Sequence, residues 1–282
     1  MDLVAFRRRA ARTRMAPLVA FPVRLSAVAR HNARVWGRSA HWLAASREHT
    51  NYTYDLTERN LEHLAWWVAN LTGEPVERIR EFVREAGEDA DLRDHVRQAT
   101  LRSSRRGLAD PTVRFGRRLG WYALVRALRP ERVIETGTDK GLGSVVLASA
   151  LLRNGQGRLT TIDVNPESGY LIGGRYAEVV DRVVGDSLSA IREESEPVGV
   201  FLHDSLHTPE YETAEFRAVE PRLTERSVVL SDNSHMSDAL SRWAEATGRR
   251  FSFFAEQPAG HWYPGDGIGA AWHPETLGDG VR

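Results

Sequence analysis

The spacing of apolar positions changes character near residue 118. Before it, apolar residues recur at helical intervals: Leu61, Leu64, Ala65 and Val68 share one face of a helix expected over residues 55–70, which Asp55 or Thr57 can cap. Pro75, suited to a first helical turn, opens a second helix carrying Val76, Ile79, Phe82 and Val83, and a third is expected over about 88–99. Residues 3–47 read as one or two Arg-rich helices, broken or kinked near Pro17 and Pro22. Beyond 118 the pattern alternates. Helices are expected over 118–128, 141–153, 169–180, 187–194, 209–221 and 235–246. Strands are expected over 132–136, 158–163, 182–185, 198–203, 227–231 and 250–255, with 268–272 suited to a closing strand. Short β-branched runs separated by ten-residue helices predict crossover units around a parallel sheet, a doubly wound α/β domain of seven strands. The Arg-, Ser- and Gly-rich stretch 100–116 suits a boundary or a mobile cover over a site; as a boundary it gives a helical region over 1–116 and an α/β domain over 117–282. The apolar faces of the helical region need cover. The α/β domain or a second copy of the chain can supply it, so substrate enclosure or dimerisation is expected of this region.

Composition narrows the chemistry. With 282 residues the chain can bury an enzyme-sized core, and 41% hydrophobic and 27% charged residues are ordinary for a globular protein. The formal net charge is zero, so nucleic acid is not an implied partner, although residues 1–47 hold ten Arg against the single acid Asp2. No Cys is present, which excludes disulfides, a thiolate nucleophile and Cys-based metal sites. No apolar run is long enough for a membrane span, and a cytoplasmic location is expected. Lys140 is the only lysine, which leaves Schiff-base chemistry one candidate.

In open α/β sheets ligands gather at the carboxyl ends of the strands. The first expected strand ends in Glu135-Thr136-Gly137-Thr138-Asp139-Lys140-Gly141, where two glycines permit a tight turn and close approach of a ligand. It is neither a phosphate loop nor a dinucleotide fingerprint, because Lys140 is followed by Gly141 and the glycines stand four apart. Glu135 would repel a pyrophosphate but suits a cationic ligand. Asp163, ending the second strand, can accept both hydroxyls of a ribose or cap a helix. Asp186 and Ser187, after the third, can reach an adenine amino group or cap the next helix. Asp204 follows the fourth strand, and Asp232-Asn233 the fifth: three oxygen donors of the kind a Mg²⁺-like ion accepts, with His203, His207 and His235 near. His207 can take a proton from a hydroxyl, or fix its loop. In the tail, Trp262 and Tyr263 can stack on a ring or pack against the sheet, and Asp266 can bind a hydroxyl.

The segments VIETGTDKG, TTIDVNP, VVGDSL, VFLHDSLH and VVLSDN, in this order, resemble the motifs of class I S-adenosylmethionine-dependent methyltransferases. The resemblance spans about residues 118–255 and is strongest to the natural-product sugar and macrolide O-methyltransferases. It implies that Glu135, Gly137, Thr138 and Gly141 hold the methionine moiety, Asp163 the ribose, and Asp186 and Ser187 the adenine. By resemblance to catechol-type relatives it implies Mg²⁺ on Asp204, Asp232 and Asn233, with His207 where those relatives carry a lysine base. The implied reaction is metal-assisted methyl transfer to a hydroxyl of a small natural product, as in antibiotic biosynthesis. A metal-independent or N-directed transferase, and a noncatalytic assembly protein retaining the fold, are the alternatives.

Overall fold

The computed structural model describes residues 16–48, 52–107 and 110–273. The Arg cluster at 7–14 lies outside them. Packing divides the chain into two units, one reaching to Ser46 and including Gly260–Tyr263, the other holding the rest from Arg47. In the first unit, residues 16–45 form one helix, α1 (Ala16–Ala45). The helix runs through Pro22 without a break, and the stretch before Ala16 lies outside the described residues. The rings of Trp42 and Trp262 stand 5.4 Å apart, so a tail aromatic of this unit packs on α1.

In the second unit three helices precede the sheet. In α2 (Glu58–Thr72), Thr57 accepts from the Asn60 amide, and Gly73, at φ 75°, closes the C-terminal end. Next come α3 (Val76–Glu88), entered through Pro75, and α4 (Ala90–Arg102), capped by Asp89. These three helices belong to the same compact unit as the sheet. Asn60 binds the backbone on both sides of a strand end, donating to Ala255 O at 3.0 Å and accepting from the Gln257 amide at 2.8 Å, while the Trp67 indole donates to Ser252.

The α/β portion runs α5 (Arg118–Leu128), β1 (Arg132–Thr136), α6 (Leu142–Asn154), β2 (Arg158–Asp163), β3 (Val180–Val184), α7 (Ser187–Glu193) and β4 (Val198–His203). It continues with α8 (Pro209–Val219), β5 (Leu223–Ser231), α9 (Ala239–Ala246), β6 (Arg250–Ala255) and β7 (Gly267–Trp272). The sheet order is β3-β2-β1-β4-β5-β7-β6. The first five strands are parallel, and β7 enters antiparallel between β5 and β6. This is the expected seven-stranded Rossmann-like sheet, with Ile134, Ile162, Phe201, Phe216, Val229 and Trp243 in its core. Residues 169–180 depart from expectation. Gly169 and Gly174 take positive φ, and a short 3₁₀ segment (Gly174–Val179) replaces the helix. The loop instead pairs with the glycine turn: the Gly169 and Leu171 amides donate to the carbonyls of Asp139 and Lys140. No described helix is long and apolar enough to cross a membrane.

Candidate functional site

The glycine turn follows β1, a central strand, and register with β2 and β4 brings their carboxyl ends beside it. Gly137 has φ 87°, and a Cβ there would overlap the carbonyl oxygen of Asp204. Only glycine permits this approach, which presses the first turn against the turn that carries Asp204 and His207. Gly141, at φ 90°, leads into the amino end of α6.

Glu135 is buried at 1% exposure and accepts from Ser144 Oγ at 2.5 Å and Thr161 Oγ1 at 2.7 Å. Burial lifts its pKa to about 7, against the opposing effect of those two hydroxyls. The Thr138 hydroxyl is committed to Thr161 at 2.7 Å. Asp163 is half-buried and ties two loops, its Oδ2 accepting from the Asp139 amide and its Oδ1 from the Asn165 amide, both at 2.8 Å. Asp186 is exposed and caps α7 through the Ser189 amide, with Tyr211 OH donating to its other oxygen. These bonds hold its carboxyl below the usual range. The Ser187 hydroxyl turns inward to Glu215. Of the residues expected to meet a nucleoside, Asp163 and Asp186 keep access to solvent, whereas Glu135, Thr138 and Ser187 support the loops from behind.

That support centres on Glu215 of α8, at 0% exposure. Its Oε2 accepts from Thr136 Oγ1 at 2.8 Å and lies 2.6 Å from His203 Nδ1. Its Oε1 accepts from Ser205 Oγ at 2.9 Å and from Ser187. One carboxylate thus joins the ends of β1, β3 and β4. Burial alone would raise its pKa, but the bonds from His203, Ser187 and Thr136 outweigh burial and hold it below the ordinary value.

At the ends of β4 and β5 the structure brings together Asp204, His207, Asp232 and Asn233. The Asn233 amide lies 3.0 Å from His207 Nε2, and His207 Nε2 lies 3.7 Å from Asp204 Oδ1. Asn233 takes a left-handed φ of 56°, which asparagine tolerates. Burial, with the neighbouring His203, lowers the His207 pKa, so its imidazole is neutral at neutral pH. Arg117, just ahead of α5, enters the same place. Its guanidinium bonds to Asp232 Oδ2, lies 3.3 Å from Glu256 Oε1 and 3.7 Å from Asp266 Oδ2. Desolvation and the charge of Asp232 push Asp204 well up, while Arg117 holds Asp232 down despite its burial. The pair is thereby biased toward a proton on Asp204 and a charge on Asp232, beside the guanidinium.

The expected Mg²⁺ site does not fit this arrangement. Asp232 gives one oxygen to Arg117, and the Asn233 amide is engaged by His207 whichever way it is turned. Among the described residues no group of three or more His, Asp or Glu stands where it could hold a metal ion. His235 Nε2 lies 3.6 Å from Asp266, an acid that also faces Arg117. Sequence reading missed Arg117, Glu256 and the Glu215 hub, since their partners lie far off along the chain.

Residues 134–234 match a family model described as a methyltransferase domain. No curated protein matches the chain. Among solved structures it is similar to the O-methyltransferase TomG of Streptomyces achromogenes, described as involved in tomaymycin synthesis and solved with S-adenosylmethionine (23% identity, 66% of this chain and 90% of that one, TM-score 0.49). It is also similar to an O-methyltransferase of Bacillus cereus (19%, 74% and 97%, 0.43) and a methyltransferase of Podospora anserina (10%, 79% and 99%, 0.48), both solved with S-adenosylhomocysteine. The strand order and the matched segment together identify the fold as that of a class I S-adenosylmethionine-dependent methyltransferase.

Proposed function

We propose that this chain, which has the class I methyltransferase fold, transfers the methyl group of S-adenosylmethionine to a hydroxyl of a small organic acceptor held at the ends of β4 and β5. The observation that carries the reading is the contact of the Gly137 turn with the Asp204 backbone, which sets the cofactor's loop beside the turn bearing His207. The Gly137–Gly141 turn holds the methionine portion, Asp163 the ribose, and Asp186 with the backbone at Ser187 the adenine. Glu135 acts from behind, fixing the amino end of α6 through Ser144.

In the step itself a lone pair of the acceptor oxygen attacks the methyl carbon in line with the sulfur. The S–CH₃ bond breaks, its electrons neutralise the sulfonium, and the products are the methyl ether and S-adenosylhomocysteine. The hydroxyl proton passes to the imidazole of His207, which is neutral before reaction. The methyl group arrives already activated, so the protein's share of the work is orientation and proton removal. No step is assigned to a divalent ion, because the guanidinium of Arg117 lies against the carboxylate that would hold it.

Calorimetric titration with S-adenosylmethionine tests the cofactor half, with roughly micromolar binding expected and tighter binding of NAD refuting it. Release of S-adenosylhomocysteine across a panel of phenols and sugars tests the acceptor half. His207→Ala is expected to lower kcat at least about tenfold at unchanged cofactor affinity. An unchanged kcat would remove His207 from the mechanism.

A further inference from the structure

Arg117 is 8% exposed and stands where the chain turns into α5. Its entry is fixed from behind: Gly116 has φ 52°, and a Cβ there would come within 2.8 Å of the Tyr54 carbonyl oxygen. The guanidinium meets acids from three separate places, Asp232 after β5, Glu256 after β6 and Asp266 before β7, and lies over Trp121 at 5.9 Å. A guanidinium is permanently charged and rigidly planar, so this grouping is a fixed positive charge with carboxylates converging on it. A divalent ion on Asp232 would stand within a few ångströms of that charge. In a buried place such repulsion opposes the attraction that the carboxylates would offer the ion.

We propose that Arg117 is the resident cation at the acceptor end of the site, so that the protein takes up no divalent ion at Asp204, Asp232 and Asn233 and its methyl transfer needs none. Arg117 acts through Asp232 and Asp204 and is a positioning residue. It lets the buried Asp232 stand beside the half-buried Asp204 without a metal. The cation assignment is independent of the methyl-transfer reading, and only its consequence for turnover rests on that reading.

The test titrates the chelator-treated full chain with Mn²⁺ alone, following the ion by electron paramagnetic resonance, with S-adenosylmethionine binding measured on the same samples. The unaltered protein is expected to leave Mn²⁺ free up to about 1 mM. Arg117→Ala should bind one ion at least about tenfold more tightly, and Asp232→Asn added to it should abolish that binding. Arg117→Lys, which keeps the charge, should bind none; with the unaltered protein it decides the matter if the alanine variant does not fold. Stoichiometric Mn²⁺ binding by the unaltered protein, or turnover lost on chelation and restored by Mg²⁺, would overturn the proposal. So would a folded Arg117→Ala protein that takes up no ion. Failure to bind S-adenosylmethionine, with the Mn²⁺ results as expected, would refute the methyl-transfer reading and leave the cation assignment standing.

Discussion

Removing the carboxylate of Glu215 should be among the most damaging single changes in the α/β unit. Three hydroxyls and one imidazole converge on it, from Thr136, Ser187, Ser205 and His203, in a place with no solvent access. A bond to a charged group contributes about 1.5–3 kcal/mol, and a buried donor left unpaired costs about 1–3 kcal/mol. Four such losses do not add fully, because the hydroxyls can turn to one another, so Glu215→Ala is expected to cost about 4–5 kcal/mol. That is a large part of the roughly 5–15 kcal/mol that keeps a domain folded. Glu215→Gln keeps the shape and one acceptor oxygen and should cost about half as much. The pH dependence has a definite sign. The folded carboxyl titrates below its unfolded value, so its contribution is complete above the unfolded pKa and disappears as pH falls through the folded one. The unaltered protein should lose this stability below about pH 4.5, and the Gln variant should lack that part of the loss. Urea unfolding followed by tryptophan fluorescence, at pH 7 and in steps down to pH 4, measures both effects. An alanine variant within about 1 kcal/mol of the unaltered protein would refute the reasoning, as would a Gln variant as damaged as the Ala one.

Gly137→Ala must place a side chain at positive φ against the Asp204 carbonyl, and a loss of about 3 kcal/mol or more is expected in urea unfolding, together with loss of cofactor binding; unchanged binding would show that the turn yields. Asp163→Ala should weaken S-adenosylmethionine at least about tenfold by calorimetry, and Asp163→Asn less, since one acceptor remains for the loop amides. Glu135 has its folded pKa raised to about 7, so its contribution is present in mild acid and declines as pH rises through 7. Glu135→Gln should flatten the stability profile between pH 5 and 8 by up to roughly 3 kcal/mol, and an unflattened profile would mean that Glu135 is ionised throughout.

Strands β1, β2, β4 and β6 were legible to the residue, because short β-branched runs bounded by Gly, Pro or Asp admit few other conformations. The glycine turn and the acids after β2, β3, β4 and β5 were legible for the same reason. What stayed hidden depends on distant partners. Arg117 is one arginine among many, and its carboxylates lie more than a hundred residues onward. Glu215 looks like an ordinary helical acid until the sheet turns it inward. The helix expected over 169–180 failed because its glycines satisfy the neighbouring turn instead.

The strand order also has a consequence for synthesis. As the chain is made from its amino end, β5 is complete some forty residues before β7, its neighbour in the sheet, and β6 has no partner other than β7. Until the last strand arrives, β5 presents an open edge rich in Val228, Val229 and Leu230, the kind of edge that recruits other chains. A ribosome that stops between residues 256 and 266 would release a protein with its glycine turn and acidic strand ends already made and its sheet unsealed. Shortening the chain from this end should therefore first cost solubility during expression.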